Sequence, residues 1–469
     1  MTHPPNVRIA PQSAAVPAPV RPPDGPAPHG PAPQDGGAWA EGKRRLRAAA
    51  TTEPGRLQII GAVLAGLVVL FGAVTAFEVA DRAAAADDVV SRSQPLSADA
   101  ASIYRSLADA DTAASSGFLA GAEEPRDVHE RYEKDIALAS RLLVKAATNT
   151  DSASESGRQI ADLNEQLPRY TGLIETARAN NRLGRPLGGA YLRFANELMT
   201  KQLLPAAQKL YDAETARLEQ DEEDARFWPV LSLGAGVAAL AVLVWAQRRT
   251  YRRTNRVFNQ GLLAATAAST VMLLWLAVGH TVARAQLNDA QAHGQQSLKV
   301  LGDARINSLK ARANENLTLV ARGAVLTDDG RSDKYETEYD AGMARLGEQL
   351  GRAQRLADDA AGRGPVADAV RGVSEWQTRH KDVAATDRAG DYDGAVRKVI
   401  GGKGSTDESF DRVDKALEKA LAHEQREFTE AAKDGRGALA GLPVGAALLA
   451  VLGAVAAILG INRRLSEYR

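Results

Sequence analysis

QRRTYRRTNRVFNQ, residues 247–260, holds five arginines (Arg248, Arg249, Arg252, Arg253 and Arg256) and no acid, between two long uncharged apolar runs. Short basic loops that join hydrophobic spans resist translocation and stay on the cytoplasmic side of a membrane. The loop therefore predicts a membrane topology for everything around it.

Working outward, spans are expected at 227–247 and 261–284 beside the loop, and at 57–79 and 438–461 further away. The first contains Leu57–Phe77, 21 uncharged residues. At 1.5 Å rise these make about 31 Å of helix, the thickness of a bilayer's hydrocarbon core. Lys43, Arg44, Arg45, Arg47 and Arg56 precede it, and Arg463 and Arg464 close the last span. All the strongly basic flanks then fall on one side, which predicts a multi-pass protein of the plasma membrane with both termini cytoplasmic. Residues 1–56, rich in Pro, Ala and Gly, read as a disordered tail with a basic flank, and residues 462–469 as a short cytoplasmic C-terminus.

Between the spans lie two acidic segments of similar length, 80–226 and 285–437, with 25 acids against 18 bases and 27 against 24. Both are rich in Ala, Leu, Arg, Glu and Asp, which favour helix. Turn signals fall at Gly121–Pro125, Asn149–Gly157 and Gly184–Gly189, then at Asp328–Ser332, Gly362–Pro365, Arg388–Asp391 and Gly401–Ser405. Gln94-Pro95-Leu96-Ser97 reads as a further break, with Ser97 capping the next helix. Apolar stripes at helical spacing run through Ile103, Leu107, Ala110, Ala114 and Phe118, and through Ile306, Leu309, Ala313, Leu317, Val320 and Ala324. A third begins at Tyr191, Phe194 and Leu198 and resumes out of phase at Leu203, Ala207, Leu210 and Leu218, so a kink is predicted at Pro205. The expected fold is an all-α integral membrane protein, with four transmembrane helices and two extracytoplasmic antiparallel four-helix bundles arranged as a tandem repeat.

Several chemistries find no support. There is no cysteine, which removes thiol catalysis, disulfides and Cys-ligated metals. None of the seven histidines has another three or four residues away, so no metal site is expected. Gly401–Thr406 (GGKGST) misses the phosphate-loop spacing and reads as an interhelical turn. Asp387, Asp391 and Asp393 read as caps rather than calcium ligands. With zero formal net charge and no catalytic arrangement, no enzyme activity, cofactor or nucleic-acid partner is expected.

On a 100°-per-residue wheel Arg305, Arg312 and Asn316 share one edge of the second stripe. They read as snorkelling or ion-pairing residues at an inter-bundle contact, or as a fork for a carboxylate ligand. The five loop arginines set topology, attract anionic membrane lipids and offer a cytoplasmic docking point.

Bundles exported between spans resemble the periplasmic halves of bacterial chemoreceptors and sensor histidine kinases. Here no output domain follows the inward spans. Two such bundles in a four-pass chain, together with Ala313–Gly323 (ANENLTLVARG) and Tyr191–Tyr211 (YLRFANELMTKQLLPAAQKLY), resemble the actinobacterial GlnX-type membrane proteins. That resemblance implies a signal relay from an extracytoplasmic amino-acid-binding lipoprotein to a cytoplasmic serine/threonine kinase. The alternative is a passive envelope scaffold or a transport accessory subunit.

Overall fold

A computed structural model describes residues 53–121, 123–254, 259–289 and 294–465. Four helical runs in it are long and apolar enough to cross a membrane: Gly55–Leu119, Leu187–Arg252, Gln260–Asn288 and Thr406–Arg463. The described residues form no strand, only a two-residue bridge between Leu326 and Asp333. This is an all-α, multi-pass membrane protein.

The first helix, α1 (Glu53–Asp88), passes through a π-helical turn, Val89–Ser93, into α2 (Gln94–Leu119). The break expected at Gln94–Ser97 is therefore absent. Pro95 has no N–H and its ring crowds the carbonyl four residues back, and a wider turn just ahead of it relieves that clash without ending the helix. Ser97 is not a cap; its Oγ lies 3.1 Å from Thr215 Oγ1.

After α2 come α3 (Arg126–Asn149), α4 (Glu155–Arg182) and α5 (Leu187–Leu198). A second π-helical turn, Met199–Leu203, leads into α6 (Leu204–Arg226), with Pro205 in its first turn. The residues buried here are Leu192, Ala195, Met199, Leu203, Ala207 and Leu210, whereas Phe194 is 47% exposed. Leu198, Leu203, Ala207, Leu210 and Leu218 are buried as expected, but the stripe's start lies one position on, at Leu192 and Ala195 rather than at Tyr191, which is half-buried, and Phe194. Successive steps of four drift about 40° each on a 3.6-residue helix, and the wider π turn keeps the true stripe in line.

α7 (Val230–Thr254) and α8 (Gln260–Asp289) follow, then α9 (Gln296–Ala321), α10 (Lys334–Leu356), α11 (Ala360–Arg388), the short α12 (Tyr392–Ile400), α13 (Thr406–Leu439) and α14 (Leu442–Leu465). The second segment therefore has five helices where about four were expected. The turn expected at Gly362–Pro365 lies a few residues earlier. Asp359 caps α11 through the Gly362 amide, and Pro365 sits inside the helix. At the far end Gly441, at φ +80°, makes the left-handed turn between α13 and α14.

The two segments do not have separate cores. One buried cluster includes Ile103, Leu107, Leu143, Leu163 and Tyr170 from the first, and Leu309, Leu346, Trp376, Phe410 and Leu417 from the second. α2 packs along α9, and both helices are buried on several faces, so a single apolar stripe understates how much of each is covered.

The spans have their own packing. Phe71, Ala239, Met272 and Ala446, from α1, α7, α8 and α14, form one buried cluster. Lipid is as apolar as leucine, so close approach between small residues holds such helices together. A Cβ at Gly72 would collide with Ala450, whereas one at Gly66 would meet nothing within 4 Å. Gly72→Ala is expected to lower the stability of the detergent-solubilised protein by about 1–3 kcal/mol, and Gly66→Ala to leave it unchanged, by thermal unfolding.

Where α6 gives way to α7 at Phe227–Pro229, helical hydrogen bonding lapses. Arg82 replaces it. Its Nε donates to Phe227 O at 2.7 Å and its Nη2 to Trp228 O at 3.2 Å. Glu78 accepts from the Ser232 amide at 2.8 Å. Open backbone groups at an apolar boundary are costly, so this Glu78–Arg82 pair ties the first span to the second.

Candidate functional site at the seam between the two segments

The three residues expected on one edge of α9 reach three different places. Asn316 Nδ2 donates to Ser115 Oγ at 3.0 Å and to Ser116 Oγ at 2.8 Å, which links α9 to α2. Thr112 Oγ1 reinforces that contact by donating to Leu309 O at 2.9 Å. Arg312 turns inward. At 0% exposure it donates to Glu315 (2.6 Å), Thr406 (3.0 Å), Val399 O (3.3 Å) and Asp407 (2.8 Å).

Arg305 lies in a charged network that crosses the seam. Its Nε and Nη2 donate to Asp414 at 2.7 and 3.2 Å. Asp414 also takes Arg131 Nη2 from α3 at 3.2 Å, and that nitrogen lies 2.7 Å from Asp109 on α2. Two guanidinium groups from opposite segments thus share one carboxylate. Asp135 completes the network; burial and the neighbouring Asp109 carboxyl push it up to about 8. Sequence periodicity alone cannot find Arg131, Asp109 or Asp414, because they converge from three helices distant in the chain.

Deeper in the second segment, Glu315 is 1% exposed and accepts from Trp376 Nε1 at 3.2 Å as well as from Arg312. His380 bridges Glu315 (2.8 Å) and Glu336 (3.1 Å) and stacks on Tyr339 with ring centroids 3.8 Å apart. Burial favours neutral imidazole, but the two carboxylates outweigh it and hold the His380 pKa up at about 9. Burial raises Glu315 too, yet the hydrogen bond from His380 and the charge of Arg312 keep its carboxyl below the usual range.

His423 stands between Asp359 and Glu427 at 3.3 Å from each, and ligand atoms of all three lie within 4.8 Å of one another. A search for paired histidines overlooks such a grouping.

Two cavities open along the seam. One, of about 470 Å³, lies between α2, α5, α9 and α10 and is bordered by Asp111, Asn196, Lys310 and Asn314. Asp111 accepts from Tyr170 (3.0 Å) and Asn196 (2.6 Å), and burial raises its pKa to about 6. The other, of about 310 Å³, lies nearer the spans between α2, α6, α9 and α13, with Tyr104, Arg105, Tyr211, Gln295, Asp303 and Phe428 in its walls.

The cavity near the spans begins where α1 becomes α2, and the segment from there to α6 forms one wall of both cavities. That stretch has relatives. Residues 85–223 match the family model of an actinobacterial sensor domain. The match supports a sensor role and takes in the end of α1 and all of α2 to α5 with most of α6. No curated protein and no solved structure matches the chain. The contacts of Asn316 with Ser115 and Ser116, of Thr112 with Leu309 and of Arg131 with Asp414 join the sensor-domain segment to helices outside it.

The basic stretch closes the other end of the spans. Arg248, Arg249 and Arg252 lie on the last turns of α7, and Arg249 sits over the Trp245 ring, 5.3 Å from its centroid. α7 also includes position 253, and Arg256 lies outside the described residues.

Proposed function

We propose that this chain is a transmembrane sensor and signal relay. Its two helical segments face outward and respond to a small ligand or to an amino-acid-binding lipoprotein, and its cytoplasmic surfaces pass the response to a partner, a serine/threonine kinase. The observation that carries the proposal is continuity. From Gly55 to Leu119 the chain is one helical run of 65 residues, uninterrupted even at Pro95. A shift or rotation of α2 at the seam therefore has a stiff path into the first span, and packed helices pass on such displacements because their packing alternatives are discrete. The match of residues 85–223 to a sensor domain supports the same reading.

The test uses a disulfide across the spans. Val68 on α1 faces Gly453 on α14, where a glycine Cβ would lie 3.0 Å from Val68 Cγ1. In membranes, the crosslinking rate of V68C/G453C is expected to change at least about twofold between amino-acid-replete and starved cells. A constant rate would favour a passive scaffold. The docking step is tested separately, by recovering a cytosolic partner that depends on residues 1–56 or 247–260.

A further inference from the structure

Four buried or half-buried arginines of the helical segments pair with carboxylates. Arg131 has Asp109, Arg178 has Glu124, Arg305 has Asp414 and Arg312 has Glu315, at distances of 2.7, 3.0, 2.7 and 2.6 Å. Arg105 differs. Its guanidinium donates to Ser102 Oγ, one turn back on its own helix, at 2.9 Å, and no carboxylate among the described residues lies within ion-pair distance. Burial and the positive charge of Arg305 push its pKa down to about 10, against the opposing pull of Tyr211, Glu418 and Asp414, none of which pairs with it directly. A desolvated charge without a partner is costly, and a fold keeps one where something else neutralises it.

What Arg105 faces is the 310 Å³ cavity near the spans. A second side chain there is also incomplete. Gln295 is 8% exposed, its Nε2 makes only a long 3.4 Å bond to Glu219, and its Oε1 has no partner. Asp303 lines the same space, with its carboxyl pKa raised by burial. Leu298, Ile306, Leu421 and Phe428 supply apolar wall. The cavity thus offers a guanidinium fork with no ion-pair partner and, across from it, the unpartnered Gln295 Oε1 and the Asp303 carboxyl.

We propose that this cavity binds a small organic acid that also carries a hydrogen-bond donor, an α-amino or α-hydroxy acid. The carboxylate takes the Arg105 fork in the two-pronged geometry that guanidinium favours. The ammonium or hydroxyl group donates to Gln295 Oε1 and to Asp303. The volume is at the small end of ligand sites, which excludes large solutes. For its role the assignment rests on the sensor reading. Gln94 and Ser97, just past the first π turn, line the cavity, and so does Gln295 just ahead of α9. An occupant thus touches both helices that lead in from spans.

The experiment uses the full chain in nanodiscs. Probes are glycine, L-alanine, L-aspartate, L-leucine, L-lysine, L-lactate and L-malate, with propionate and L-alaninamide as analogues lacking the donor or the carboxylate. At least one amino or hydroxy acid is expected to raise Tm saturably and to give a calorimetric Kd. The truncated analogues and the R105Q and R105K variants should bind at least about 10-fold more weakly. Without ligand, R105Q should be no less stable than the parent, since it removes a half-buried charge whose only direct partner is the Ser102 hydroxyl, whereas an arginine with a purely structural role would lower Tm when replaced. The site is overturned if none of these acids binds, or if R105Q binds as well as the parent. Loss of the site with a responsive V68C/G453C crosslink leaves the relay standing. Binding with a constant crosslink removes the relay and keeps the site.

Discussion

Glu315→Ala lowers the stability of the protein by about 3–5 kcal/mol, the usual consequence of leaving a buried charge without its counter-ion. Glu315 is the hub for Arg312, Trp376 and His380, with its carboxylate oxygens 2.6–3.2 Å from their nitrogens. Arg312 keeps Asp407 at 2.8 Å, but the guanidinium arm facing Glu315 is left with only the Thr406 hydroxyl, and His380 keeps Glu336 alone. Thermal or denaturant unfolding followed by circular dichroism measures the effect. A loss under 1 kcal/mol would show that water reaches the cluster.

Stability falls between pH 6.5 and pH 9.5, and His380 alone contributes about 3 kcal/mol of that fall. Its folded pKa, about 9, lies above the ordinary 6.5. A raised histidine stabilises the fold fully below its unfolded pKa, and that stabilisation disappears as pH rises through the folded value. At about 1.4 kcal/mol per unit the shift gives the stated fall. Asp111, Glu222, Glu424 and Asp135 act in the same direction, since burial raises them to about 6, 7, 7 and 8, Asp135 with the help of the Asp109 carboxyl. The fold binds their protons more tightly than the unfolded chain does, so their contribution is present below about pH 4 and lost as pH rises through 6–8. Glu315, held low, works oppositely, and its contribution is lost as pH falls below about 4. Stability should therefore be greatest near pH 5, and His380→Gln should flatten the profile between pH 7.5 and 9.5. A level profile in the parent over that range would refute the charge assigned to His380.

Membrane class and helical content were legible because they depend on local composition. Twenty or so uncharged residues and a run of arginines mean the same wherever they fold. The turns capped by Ser154, Asp391 and Ser405 were legible for the same reason, since each cap bonds an amide three residues away. The continuous helix through Pro95 was not, because the π turn that admits the proline is chosen by packing against α6 and α13. Nor was the start of the stripe in α5, where Leu192 and Ala195 fill the core and the larger Phe194 lies outside, 5.8 Å from the Arg169 guanidinium. The seam was least legible. Arg305, Arg312 and Asn316 share an edge of one helix, yet their partners stand on α13, within the second segment's interior and on α2. Arg105 carries no sequence signal at all, because its distinction is the lack of an ion-paired acid in three dimensions.

The undivided core has a consequence for how the protein is made and kept. Because Leu107 and Leu309 belong to one buried cluster, neither half of the chain possesses a complete interior. A gene cut between α7 and α8 yields two polypeptides that each expose the flank of a central helix, and they should be unstable when produced singly and recover when produced together. Joining them in one chain fixes their ratio at one to one and makes their pairing independent of protein concentration. It also frees the two halves to differ, as the carboxylate-paired Arg305 and the unpaired Arg105 do, without any need to prevent each from pairing with its own kind.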